Sequence, residues 1–185
     1  QRKTKELCVK NITYMQADIL ELEALSKQFD IVDSVGVLHH MADPIDGWKV
    51  LTNCLKTNGL MRIGLYSELA RQHIVEARNI ISERGIFITK KEMVEFRQQI
   101  VQSNDPIFKI LQTSNDFYSV STLRDLVFHV QEHHFTIPRI SNILDELGLS
   151  FIGFEFSNEL IIKDYKSSFP KANSIYNLHQ WHEYE

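Results

Sequence analysis

At 185 residues the chain is long enough for one domain with its own core and too short for two of ordinary size. Its composition, 43% hydrophobic and 24% charged, is that of an ordinary globular domain. A net charge of −4 leaves no basic footprint for nucleic acid, and no apolar run approaches the ~20 residues that span a bilayer. Neither nucleic acid nor membrane is therefore expected as a partner. Cys8 and Cys54 stand in unrelated contexts, which argues against a disulfide framework and for a reducing, cytoplasmic setting. The first residue is Gln1, inside a charged segment, so the chain reads as a piece of something longer.

Residues 1–10 are mostly polar and read as the tail of a helix or a linker. Asn11 to Gln16 alternates as a short strand, ending in Ala17-Asp18-Ile19. On local sequence Asp18 is a helix N-cap for Leu20 to Ser26. Phe29 to Val37 is an apolar, β-branched run, the pattern of a strand buried on both faces. It passes through Gly36 into the Leu38-His39-His40 turn. Asp43 then offers an N-cap with Pro44 at the first helical position, and Trp48, Leu51 and Leu55 give one buried stripe. Asn58-Gly59 is suited to stop that helix, and Leu60 to Tyr66 is the next buried strand.

Two buried strands joined by a helix make a βαβ unit, hence a parallel sheet with a right-handed crossover. In such sheets ligands bind beyond the carboxyl ends of the strands. Ser34, Val35, Gly36, His39 and His40 thus belong to one mouth, beside Tyr66, Ser67 and Glu68.

The rest reads mainly as helices: Glu68 to Arg84 with Ala70, Ile74, Ala77 and Ile81 on one face, and Thr89 to Val101 behind a Thr89-x-x-Glu92 capping box. Residues 104–119 read as irregular, and Ser121 to Val130 as a helix. Thr136 caps a helix ending at Leu147-Gly148, Ser150 to Phe156 reads as a strand, and Asn158 to Tyr165 and Ser174 to Tyr184 read as helices. Arg124, Asp125, His129 and His133 share a face if the helix at 121–130 runs on. Adjacent histidines such as His39-His40 and His133-His134 point in different directions, so no metal site is expected.

The run FDIVDSVGVLHHMADP, followed by Leu55-Lys56 and Gly59-Leu60, resembles the fourth strand, following helix and fifth strand of class I S-adenosylmethionine-dependent methyltransferases. The segment Asp116 to Ile140 further resembles a bacterial methyltransferase domain often fused to tetratricopeptide repeats. The resemblance implies an α/β fold: a partial Rossmann-like sheet, strands 3 to 6 of the family, with residues 68–134 as a helical insertion over the cofactor pocket. It implies S-adenosyl-L-methionine as cofactor, held by Asp18, Ile19, Ser34, Val35, Gly36 and His40. Asp18, in this setting, accepts from the adenine amino group. His39, His40 and Tyr66 are the candidate catalytic groups, with the bland alternatives that His40 bonds backbone, His39 lines a wall and Tyr66 packs. The acceptor, small molecule or protein, is open, as is a fused or partner tetratricopeptide segment.

The family's glycine-rich turn and its ribose-binding acid have no counterpart: the sequence contains no G-x-G. Family sheets run 3-2-1-4-5-7-6, so only strands 4 and 5 would remain neighbours, with strands 3 and 6 orphaned and edges open. Cofactor binding by these 185 residues alone is expected to be weak or absent. Two other functions compete: a non-catalytic fold remnant serving as an interaction module, and another nucleotide-binding enzyme such as a nicotinamide-dependent reductase. The absence of any Tyr-x-x-x-Lys pair speaks against the reductase.

Overall fold

A computed structural model describes residues 2–128, 131–156 and 158–185. Its organising unit is the expected βαβ: β1 (Phe29–Val35), α2 (Pro44–Asn53) and β2 (Leu55–Gly64), preceded by a short helix α1 (Arg2–Glu6). β1 and β2 are parallel, with Val32 opposite Met61, Ser34 opposite Ile63 and Val35 opposite Gly64. The Asp43 carboxylate accepts from the Ile45 amide at 2.8 Å and Pro44 opens α2, so local chemistry starts the crossover helix where the sequence predicts. Trp48 and Leu51 then press onto Val32 and Leu38, joined by Phe135 and Ile143.

Two details of this unit differ from expectation. α2 stops at Cys54, not at Asn58-Gly59, and Leu55 belongs to β2, where it pairs with Phe29. The register slips between Phe29 and Ile31, and Asn58 takes up the left-handed conformation (φ 62°) inside that irregularity. Its tolerance of positive φ was read correctly and assigned to the wrong element. Nor is β1 buried on both faces: Val32 and Ser34 point into the core while Ile31 is 67% exposed and Val35 51%. α2 covers one face, and among the described residues no helix covers the other.

Beyond β2 the chain breaks at Leu65 into a second, two-residue sheet. β3 (Tyr66–Ser67) runs parallel to β4 (His134–Phe135). Between them lie α3 (Gln72–Glu83), α4 (Lys90–Gln102), α5 (Pro106–Leu111) and α6 (Val120–Val127). The predicted stripes bury as a core of their own, except that α3 starts only at Gln72 and leaves Ala70 exposed before it: Ile74, Ala77 and Ile81 meet Met93, Phe96 and Ile100, closed by Phe108, Leu111, Phe117 and Leu123. α5 was expected to be irregular. Asp105 caps it through the Ile107 amide, and Pro106 starts it. The capping box is only half made: Thr89 Oγ1 accepts from the Glu92 amide, but Glu92 reaches back to the Phe87 amide.

α7 (Ile137–Glu146) returns to the first core, and α8 (Glu159–Ser168) and α9 (Leu178–Tyr184) form a third cluster around Tyr165 and Trp181, whose rings stack at 3.6 Å. Two expected strands do not form. Residues 11–16 join no sheet, with Ile12 49% and Met15 55% exposed. Residues 150–156 are broken by Gly153 at φ 137°, and Phe154 and Phe156 pack on Trp181. A strand needs a neighbour for its amides, and among the described residues neither segment has one. Of the four strands that the resemblance implies, the described structure therefore pairs two.

Candidate active site at the carboxyl ends of the parallel strands

The turn after β1 brings the predicted mouth residues together. Leu38, His39 and His40 form one turn of 3-10 helix, with the His40 amide bonded to the Val37 carbonyl. Leu38 is fully buried under α2, and this anchors the turn. His39 is 1% exposed, and its ring centre lies 3.9 Å from that of Tyr66 and 4.3 Å from that of His40. Gly64 lets the strand ends close: a Cβ there would stand 2.7 Å from Val35 Cγ1. Gly36 sits at φ 76° with open space around it, which leaves the mouth accessible beside the turn.

The two histidines have different chemistry. Burial, and secondarily the neighbouring His40, pulls the His39 imidazole down to about 4, so it is neutral at physiological pH. Neither of its ring nitrogens has hydrogen-bond geometry to a described residue. His40 Nδ1 lies 3.1 Å from the Gln131 carbonyl oxygen. A carbonyl only accepts, so Nδ1 carries the proton and the neutral ring keeps its lone pair on Nε2.

Tyr66 is not open to a ligand cation. The Arg71 guanidinium carbon lies 3.7 Å from the ring centre, and two groups this close cannot share a face, so Arg71 and His39 sandwich the ring. Cation–π attraction at Tyr66 is therefore satisfied by Arg71.

Above this stack lies a strap, residues 131–135. Gln131 Nε2 donates to the Met41 carbonyl, the His133 amide to the His39 carbonyl at 2.8 Å, and the Glu68 amide to the Phe135 carbonyl. The Glu132 side chain has no exposed surface. Its carboxylate takes Arg71 Nε at 2.7 Å and Nη2 at 3.1 Å, Arg78 Nη2 at 2.8 Å and His134 Nε2 at 2.6 Å. Burial alone would push the Glu132 carboxyl up. The bonds from His134 and Arg71 and the charges of Arg71 and Arg78 outweigh it and hold the group below its usual value.

Sequence reasoning missed Glu132, Arg71 and Arg78. Arg71 and Arg78 are seven residues apart, two turns of one helix face, flanking the Ile74–Ala77–Ile81 stripe. That spacing was a usable signal; their meeting with Glu132, some sixty residues away, was not.

The remaining predicted residues are placed as follows. Ser34 is buried, its hydroxyl without a partner among the described residues. Val35 and Gly36 are exposed on the rim. The exposed Asp18 caps the 3-10 turn Ile19–Leu25, its Oδ1 accepting from Leu20 N at 2.9 Å, and Ile19 packs against the core that holds Leu38. The cap that local sequence predicts is thus present. The helical face of Arg124, Asp125, His129 and His133 does not exist as drawn: α6 ends at Val127, His133 lies in the strap, and His129 and Val130 are outside the described residues. Among the described residues no three His, Cys, Asp or Glu side chains are grouped to hold a metal ion. Among the described residues no helix is long and apolar enough to cross a membrane.

Comparison with known proteins agrees with this geometry. Residues 1–63 match the model of a family described as a methyltransferase domain. The match ends one residue short of the end of β2, so it takes in Asp18, the βαβ unit and both histidines. This segment is thus similar to methyltransferase domains. An uncharacterized protein of a Synechococcus strain is 25% identical over 153 residues. That similarity covers 77% of this chain and 36% of the cyanobacterial protein, so the chain spans about a third of the length of this curated relative.

Proposed function

We propose that this chain forms the cofactor mouth and acceptor wall of an S-adenosylmethionine-dependent methyltransferase, with His40 as the group that takes the acceptor's proton. One observation carries the reading: the family match and the His39–His40–Tyr66 cluster coincide at the carboxyl end of a parallel βαβ unit. The residues present fit one side of the cofactor. Asp18 has a carboxylate oxygen beyond its capping bond, Ser34 holds a buried hydroxyl with no described partner, and the space over Gly36 is open. Asp18, Ile19, Ser34, Val35, Gly36 and His40 would hold the group. When bound, it supplies a methyl on an already activated sulfonium leaving group.

The chain's own task is then alignment and proton removal. In-line displacement depends on holding donor and acceptor in register, which a turn anchored by the buried Leu38 provides. His40, with Nδ1 donating to Gln131, presents a fixed tautomer, so its Nε2 accepts the acceptor's proton. His39, held neutral at about 4, is a poor base at neutral pH and serves as wall and as support for Tyr66. Tyr66, clamped on both faces, sets the shape of the acceptor side.

The glycine-rich turn and ribose acid that the resemblance implies are not in this sequence, so affinity for the cofactor is expected to be low and activity to depend on a further segment. The test is formation of S-adenosylhomocysteine from S-adenosylmethionine by the wild type and by His40→Asn. A loss of roughly 10²-fold or more in the variant, with His39→Asn losing less, fits general-base catalysis. Equal rates for wild type and His40→Asn would refute the assignment.

An interaction module remains the second reading, favoured by one observation. β1 presents Phe29, Ile31 and Val35, with Val37 just after it, at 40–67% exposure beside an unpaired edge among the described residues.

A further inference from the structure

The Arg71–Arg78 pair holds more positive charge than its surroundings use. The chain as a whole is negative, −4, yet here two guanidiniums meet a single buried carboxylate, Glu132. Glu132 engages Arg71 through Nε and Nη2 and Arg78 through one Nη2 bond. Arg78 spends its other Nη2 proton on the Leu126 carbonyl at 3.2 Å. Its Nε is buried and has no partner among the described residues. An unsatisfied buried donor on a charged group is costly, so its retention calls for a reason. Both arginines keep an outer edge in reach of solvent, with side chains 15% and 21% exposed. His73, two residues from Arg71, registers the same field: burial first and the Arg71 charge second hold its imidazole below the ordinary value. Ser67 spends its hydroxyl on Glu185 at the rim, and neither Glu185 nor Glu68 pairs with these arginines.

Position gives the surplus charge its meaning. Arg71 lies on Tyr66, and Tyr66 lies against His39 beside His40. We propose that the free edges of Arg71 and Arg78 bind the carboxylate of the methyl acceptor, with Glu132 as a positioning residue that holds the two guanidiniums edge-out. The acceptor class is then a carboxylate-bearing molecule. Its anionic end would rest on the arginines, and the group to be methylated would reach past Tyr66 toward His40. The planar fork of a guanidinium suits a carboxylate in two-point contact, as Arg71 already shows with Glu132. The identity of the bound molecule as acceptor rests on the methyltransferase reading; the anion site itself does not.

The test is therefore a binding measurement that needs no cofactor. The 185-residue chain is titrated with succinate, with neutral succinamide and with inorganic phosphate, and the side-chain resonances of Tyr66, His39 and His40 are followed by NMR. Succinate should shift them saturably, succinamide should not, and phosphate should bind more weakly than succinate. Arg78→Lys keeps a cation for Glu132 but removes the Nη1 donors that the bonds to Glu132 and Leu126 leave over, and should weaken succinate at least tenfold while its spectrum stays that of a folded chain. Arg97→Gln, whose side chain bonds the Tyr118 carbonyl in the helical insertion, should leave the affinity unchanged. No saturable shift with succinate, an unchanged affinity in Arg78→Lys, or tighter binding of phosphate would overturn the proposal. Succinate binding together with measurable and equal S-adenosylhomocysteine formation by the wild type and His40→Asn would refute the function proposed above and leave the anion site standing. Methyl transfer without succinate binding would do the reverse.

Discussion

Glu132 and Arg71 are joined by two parallel hydrogen bonds, 2.7 and 3.1 Å, in a place where the carboxylate has no exposed surface. This contact ties the strap after α6 to the start of α3, and through Arg71 it fixes the ring of Tyr66 against His39. The helical layer and the strand ends of the first sheet thus share one buried charge cluster.

Glu132→Gln keeps the shape and removes the charge, leaving two guanidiniums facing a neutral amide. Breaking a buried pair in this way costs about 3–5 kcal/mol. Urea denaturation should show that loss as a lower midpoint. A change below about 1 kcal/mol would mean that the cluster is solvated and does not tie the layers.

The stability of the chain should fall as pH drops from about 6.5 to about 4. His39 ordinarily titrates near 6.5 and is held at about 4 in the fold. Across that window the unfolded chain binds the proton and the folded one does not, so acid favours unfolding. His73, also lowered, adds to the same slope. Glu132 is lowered too, so its contribution is present above the usual carboxylate value and is lost only at still lower pH. Urea midpoints measured from pH 7.5 to 4.5 check this, and His39→Asn should flatten the profile. A wild-type midpoint that is constant from pH 7 to 5 would contradict the burial of His39.

Gly64→Ala tests the closure of the strand ends. The new methyl would meet Val35 Cγ1 at 2.7 Å, so the pair must part or strain, at about 1–3 kcal/mol. Val35→Ala in the same chain should recover most of that loss. Failure of the double variant to recover would place the crowding elsewhere.

The exposed edge of β1 should drive self-association. Ile31→Lys places a charge at a 67% exposed position, and should leave the denaturation midpoint within about 0.5 kcal/mol while lowering aggregation at high concentration. Light scattering of the two proteins decides it; equal scattering would clear this edge.

The parts legible in the sequence were those fixed by local chemistry. Asp43-Pro44, Thr89 and Thr136 all cap where the residue type predicts, and the apolar stripes of α3 and α4 bury as their spacing requires. The mouth was legible for the same reason: Gly36 and the Leu38–His40 turn sit at the end of a parallel strand whose topology fixes where ligands go. Strands at 11–16 and 150–156 were misread because alternation says only that a segment could pair, while pairing depends on a neighbour. Gly153 and the pull of Trp181 on Phe154 decided the second case. The Glu132 cluster was illegible because its members meet only after the four helices α3 to α6 have folded.

The central claim is that the turn at residues 34–40 faces the cofactor and Tyr66 faces the acceptor. Titration of the 15N-labelled chain with S-adenosylhomocysteine, followed by amide shift mapping, addresses it most directly. Saturable shifts concentrated at Asp18, Ile19, Ser34, Val35, Gly36 and His40, even at low affinity, are the predicted result. Shifts confined to other surfaces, or no shift at any attainable concentration, would contradict it.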